Sequence, residues 1–237
     1  MRETLCTIPI NDILRERDGC PVCRMRKIVE QRMLEYTLGD SMMEPDTRQQ
    51  TNLLGFCERH LSMLKVGKNR LALALMLKTH LDEIEKNVLS GGLLGGPKKS
   101  AEKAENIEKS CFVCDGIEKN MIHLAGGLIK SYETDSEARK LFAGQEYLCL
   151  PDFALLCGLS EKMMQKSAKK QFFDDCKTLC KKYLDPLKTE LELFSKMFDY
   201  RSDPEADEFK NAKHAIEHAG YFLFSNGDER ITLNEEG

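Results

Sequence analysis

Apolar side chains recur at helical spacing along most of the chain. After Cys23, residues Met25, Ile28, Val29, Met33 and Tyr36 fall three or four apart and mark one face of a helix. GDSMMEPD ends that run, and Pro45 is suited to the first position of a short helix carrying Arg48. FCERHLSML opens another short helix, and from Asn69 a longer one is expected with Leu73, Leu77, Leu81, Ile84 and Val88 on one side. The later part follows the same plan: a helix through Leu124, the segment YETDSEARKLF with Arg139 in the place of Arg48, and LCLPDFALL.

Residues 161 to 200 read as long helix, interrupted near Pro186, with Cys176, Leu179, Cys180, Tyr183, Leu187, Leu191, Phe194 and Phe198 on one stripe. A last helix is expected from near Pro204 to Gly220. Strand signals are confined to LCTIPI near the start and to FLFSNGDERITL, a candidate hairpin around Asn226 and Gly227.

Cysteines then turn this helical outline into a repeat. CPVC places Cys20 and Cys23 together, and FCERH supplies Cys57 and His60; CFVC repeats the first motif at Cys111 and Cys114, and LCLPD repeats the second at Cys149 and Asp152. The fold class expected is mainly α, with two repeated small helical metal-binding modules and a C-terminal helical extension. Boundaries follow from composition: an N-terminal module over 1–89, a flexible linker over 90–109 containing SGGLLGGPKKS, a second module over 110–200, and an acidic helix and tail over 201–237.

A CxxC turn aims two sulfurs at one point, and a Cys-x-x-His pair at a helix start places its donors on one face. Cys20, Cys23, Cys57 and His60 thus supply three thiolates and an imidazole, the donor set of a closed zinc site. Cys111, Cys114, Cys149 and Asp152 form the corresponding set in the second module, with a carboxylate replacing the imidazole and His123 as an alternative fourth donor. Zinc is the expected ion and an iron–sulfur cluster the alternative. Each set is expected to fold its own half of the chain.

Cys157, Cys176 and Cys180 sit on apolar stripes and read as core filling, as does Cys6. His214 and His218, one turn apart, share a helix face with Asp207 and Asn211 and read as a solvated polar face.

Charge narrows the range of partners. The net charge is −4 over 237 residues, and the acidic excess lies in the last 37, with four basic against nine acidic side chains. This balance disfavours nucleic acid and anionic lipid as main partners. No apolar run reaches the ~20 residues of a membrane span, and the opening residues lack the core of a secretory signal. A cytoplasmic location is expected, where ten cysteines serve metal binding better than disulfides. Phosphate-binding loops, nucleophile elbows and the HExxH zinc motif are absent, which argues against an enzyme; chemistry at an open second site through Asp152 or His123 is the weakest reading. The residues point to a zinc-stabilised binding or adaptor protein with a protein partner. The alternative is a thiol-based redox or metal-responsive protein that uses the second, less complete cluster. No residue names a small-molecule ligand.

The order CPVCR, helix, MEPD turn with Arg48, GFCERH and leucine-rich helix resembles a family of uncharacterised bacterial proteins, a domain of unknown function in which CPxCR and GFCxxH modules occur singly or in tandem. FDYRSDP and the helix ending at Gly220 are similar to that family's C-terminal segment. The resemblance implies a cytoplasmic, metal-binding helical protein and brings no activity with it.

Overall fold

A computed structural model describes residues 10–89, 96–199 and 209–224. Eleven α-helices lie in these residues: α1 Ile10–Arg15, α2 Pro21–Leu38, α3 Pro45–Leu54, α4 Glu58–Lys65, α5 Arg70–Ile84, α6 Pro97–Glu108, α7 Phe112–Thr134, α8 Ser136–Ala143, α9 Leu150–Met163, α10 Lys166–Lys196 and α11 Ala215–Leu223. Among the described residues there is no strand, so the fold is mainly α. No helix of these residues is long and apolar enough to cross a membrane. The expected LCTIPI strand falls largely, and the turn of the Asn226–Gly227 hairpin wholly, outside the described residues, as does the expected helix start at Pro204.

The helix signals explain most boundaries. Pro45 occupies the first turn of α3, where its missing N–H costs nothing. Asn69 caps α5 by accepting from the Ala72 N–H at 3.1 Å, and Asp135 caps α8 by accepting from the Glu137 N–H at 2.8 Å. Two expectations are corrected. Residues 97–108, placed in the linker for their polarity, form the exposed helix α6: Pro97 starts it and the Ala/Glu/Lys-rich run favours helix without a core to pack on. In α5 the buried face is Ala72, Leu73, Met76 and His80, while Leu81 is 62% exposed. The polar contacts of Thr79 and His80 with α3 turn the helix away from the leucine stripe. Finally, α10 runs through Pro186 without interruption. Burial of Phe172, Cys176, Leu179 and Leu187 offsets the roughly 3 kcal/mol of an internal proline.

Tertiary contacts divide the chain into two compact units. One is built on Ile28–Met121. Its core holds Val29, Met33, Leu64, Met76, Val113 and Ile117. Arg48 ties α3 to α5, donating to the Leu75 carbonyl at 3.1 Å and the Thr79 hydroxyl at 2.7 Å. The other unit is built on the described residues of 10–27 and 122–224. Tyr132, Phe142 and Phe172 form its aromatic centre, with ring centroids 4.8 to 5.7 Å apart. Here Arg139 donates to the Tyr132 and Glu133 carbonyls near the end of α7. The two arginines occupy matching places in the repeat but hold different partners. Both α2 and α7 are divided between the units, each giving its first turns to one and the remainder to the other.

Gly55 holds the turn between α3 and α4 at φ +58, where a side chain is strained, and a Cβ there collides with the His80 ring. Its carbonyl accepts from the Phe112 N–H at 2.9 Å. Gly55→Ala is expected to lower stability by about 3 kcal/mol, combining backbone strain with overpacking. Urea unfolding measures this, and an unchanged midpoint refutes it.

Candidate metal centres

All four cysteine motifs lie at helix starts. Cys20 precedes α2, Cys57 precedes α4, Cys111 precedes α7 and Cys149 precedes α9. In each case the carbonyl of that cysteine accepts from the N–H four residues on, at 2.8 to 3.1 Å: Arg24, Leu61, Asp115 and Phe153. The second donor, three residues later, falls in the first turn of the helix and returns to the same side. Partial positive charge from the unpaired N–H groups of the first turn favours thiolate there. Glycine at φ +109 on Gly19 gives the chain its sharp entry to the first CxxC turn.

Two groups of four donors result, and in each the ligand atoms lie within 4.8 Å of one another. Their membership corrects the sequential expectation. Cys57 and His60 join Cys111 and Cys114; Cys20 and Cys23 join Cys149 and Asp152. Each CxxC motif therefore meets the Cys-x-x-His or Cys-x-x-Asp motif of the other repeat copy, and neither copy closes on itself. His123, the alternative fourth donor, belongs to neither group.

The Cys57 group lies within the unit built on Ile28–Met121. His60 Nδ1 stands 3.3 Å from Cys57 Sγ, 3.4 Å from Cys111 Sγ and 3.2 Å from Cys114 Sγ, and the Cys57 and Cys114 sulfurs are 3.9 Å apart. The other ring nitrogen, Nε2, contacts Glu30 Oε1 at 2.9 Å, and Arg59 pairs with the same carboxylate at 3.1 Å. A carboxylate behind the histidine fixes its ring and leaves Nδ1 as the donor facing the sulfurs. Burial works to raise the Cys111 thiol, but contact with His60 and backbone N–H groups of Cys114 and Cys57 carry it down to about 6. The His60 imidazole is raised to about 10 against its burial, by Cys111 and then Glu30. Cys114 is pushed up, by burial and by negative charge on Cys111. His60 and Cys111 are buried, Cys57 is half-buried and Cys114 is exposed.

The Cys20 group lies in the second unit and is buried throughout, with Asp152 1% exposed. One carboxylate oxygen, Oδ2, serves all three sulfurs: 3.3 Å to Cys20, 3.1 Å to Cys23 and 3.1 Å to Cys149. The Cys23 and Cys149 sulfurs are 3.6 Å apart. Oδ1 faces the Arg26 guanidinium at 3.6 Å. Burial and the neighbouring Cys20 raise the Asp152 carboxyl to about 6, against contacts from Cys149 and Cys23 that lower it. Cys149 is pushed well up by its contacts with Cys20 and Cys23 and by burial. Four potential anions thus converge in a buried pocket, an arrangement whose mutual repulsion a divalent cation would largely offset. The carboxylate is an integral member of the group and not a gap in the repeat.

Residues 1–230 match the family described as "Family of unknown function (DUF6062)". The chain belongs to this family. The match spans both donor groups and nearly the whole chain, so the family's single description covers both repeat copies together. No curated protein and no solved structure matches the chain.

The His214 and His218 ring centroids are 6.3 Å apart, and His218 Nδ1 is 2.8 Å from Glu190 on α10. The sequence reading missed this pairing because Glu190 lies 28 residues away and nothing in KHAIEH points to it. Cys176 is fully buried beside the aromatic centre, as a core cysteine should be, and burial raises its thiol.

Proposed function

We propose that this protein holds two zinc ions, one on Cys57, His60, Cys111 and Cys114 and one on Cys20, Cys23, Cys149 and Asp152, and acts as a zinc-stabilised, non-enzymatic binding or adaptor protein of the cytoplasm. The observation that carries this is the convergence of eight donors from four separate helix starts into two sets of four. A tetrahedral ion with zinc–sulfur bonds of about 2.3 Å requires sulfurs about 3.8 Å apart. The Cys57–Cys114 pair at 3.9 Å and the Cys23–Cys149 pair at 3.6 Å fit that requirement. Three thiolates with one imidazole or one carboxylate fill four positions, so bound zinc would serve structure and leave no site for a reacting water. With catalytic motifs absent from the sequence, the helical surface remains as the working part, and a protein is the partner it suits best.

Elemental analysis of the purified chain tests the reading, with two zinc ions per chain expected. A colourless solution accompanies zinc, whereas visible absorbance and iron identify an iron–sulfur cluster in its place. Removal of the ions by a strong chelator is expected to abolish cooperative thermal unfolding, because structural zinc is bound with roughly 10 kcal/mol or more. Protein free of any metal with an unaltered melting curve refutes the proposal.

A further inference from the structure

Beside the Cys20 group a cleft of about 600 Å³ opens, within the same unit. Cys20 and Cys23 lie at one end, Glu146 and Tyr147 come from the turn before α9, Lys182, Tyr183 and Glu190 from α10, and His218 and Tyr221 from α11. Its volume suits one small molecule.

Most charges lining the cleft are already engaged, Lys27 among them. Arg24 pairs with Asp18 and with Glu16 at 3.7 Å, and Glu190 is met by His218. Two are different. Lys182 donates only to the neutral Gln145 carbonyl, at 3.1 Å, and has no ion pair among the described residues. Glu146, the next residue along the chain from that carbonyl, has none either and does not pair with Lys182, although its charge is felt at Tyr183. An ammonium is therefore tethered one residue from a carboxylate, and both residues are exposed. The Tyr147 and Tyr183 rings stack at 4.2 Å, and with Tyr221 they give the cleft an aromatic wall. His218 is anchored through Nδ1, which leaves Nε2 to meet a ligand.

We propose that this cleft binds a free aromatic α-amino acid: Lys182 meets its carboxylate, Glu146 its ammonium, and the tyrosine wall its ring. Opposite charges on two groups of one carbon of the ligand match opposite charges on neighbouring parts of the protein.

The chain contains no tryptophan, so the fluorescence of added L-tryptophan reports on binding without protein background. Titration of the zinc-loaded full chain into L-tryptophan is expected to shift its emission to shorter wavelength, saturating at one molecule per chain. Tryptamine, lacking the carboxylate, and indole-3-propionate, lacking the ammonium, are expected to bind about tenfold more weakly, the equivalent of about 1.4 kcal/mol for each lost charged contact. Lys182→Met is expected to weaken tryptophan by the same factor and leave tryptamine unchanged; Glu146→Gln is expected to weaken tryptophan and leave indole-3-propionate unchanged. Circular dichroism and zinc content of each variant establish that it is folded and loaded. Loaded protein that gives no saturable shift, or binds all three compounds equally, overturns this proposal while leaving the zinc reading intact. Unequal binding that neither variant alters also overturns it.

Discussion

In the Cys57→Ser protein, zinc content is expected to fall from two ions per chain to one, and Cys111 and Cys114 become reactive towards an alkylating agent while Cys20, Cys23 and Cys149 stay protected. The reason is geometric. Cys57 Sγ lies 3.9 Å from Cys114 Sγ and 3.3 Å from His60 Nδ1, and its removal opens one group without touching the other. Pairing within each repeat copy predicts the opposite result, exposing Cys20 and Cys23 instead. Mass spectrometry of the alkylated peptides separates the two patterns, and reaction at Cys20 and Cys23 alone refutes the crossed arrangement. The loss in stability should be large, because one ion is worth a substantial part of the 5–15 kcal/mol that holds an ordinary domain together.

Asp152→Ala is expected to lower the melting temperature by about 10 °C or more and to release the ion of the Cys20 group. A single oxygen of Asp152 touches all three sulfurs, and its other oxygen faces Arg26. Alanine removes the fourth donor and leaves three buried thiols without the carboxylate that contacts each of them. Asp152→Asn keeps the shape and removes the charge, so a smaller loss is expected from it. Calorimetry with zinc analysis checks both; an Asp152→Ala protein that retains two ions and its melting temperature shows the carboxylate to be dispensable.

These two expectations differ in how far the sequence supports them. Local chemistry was readable wherever ligand and helix signal lay within one turn. Cys57 with His60 and Cys149 with Asp152 are three apart at helix starts, and each CxxC turn declares its own two donors. Pro45 and Asn69 marked helix starts through interactions that reach no further than three residues. The exposure of Leu81 and the burial of His80 on α5 were not legible locally, because the Thr79 and His80 contacts reach α3 at Asn52, 27 and 28 residues away. The Glu190–His218 pair and the charges around the cleft were hidden for the same reason, being brought together from α10, α11 and the turn before α9.

By itself the sequence determined that this chain is helical, that it carries four two-donor motifs, and that three thiolates with an imidazole or a carboxylate are the sets available to it. Tertiary structure alone decided which pairs meet. Both CxxC turns offer the same two sulfurs, and both partner motifs begin with the same cysteine, so donor chemistry gives neither pairing an advantage. The choice falls to packing over dozens of residues: the Phe112 N–H on the Gly55 carbonyl sets α7 beside the turn that leads to Cys57, and Gln145, bonded to the Leu14 carbonyl and to Arg24, holds the approach to Cys149 beside Cys20 and Cys23.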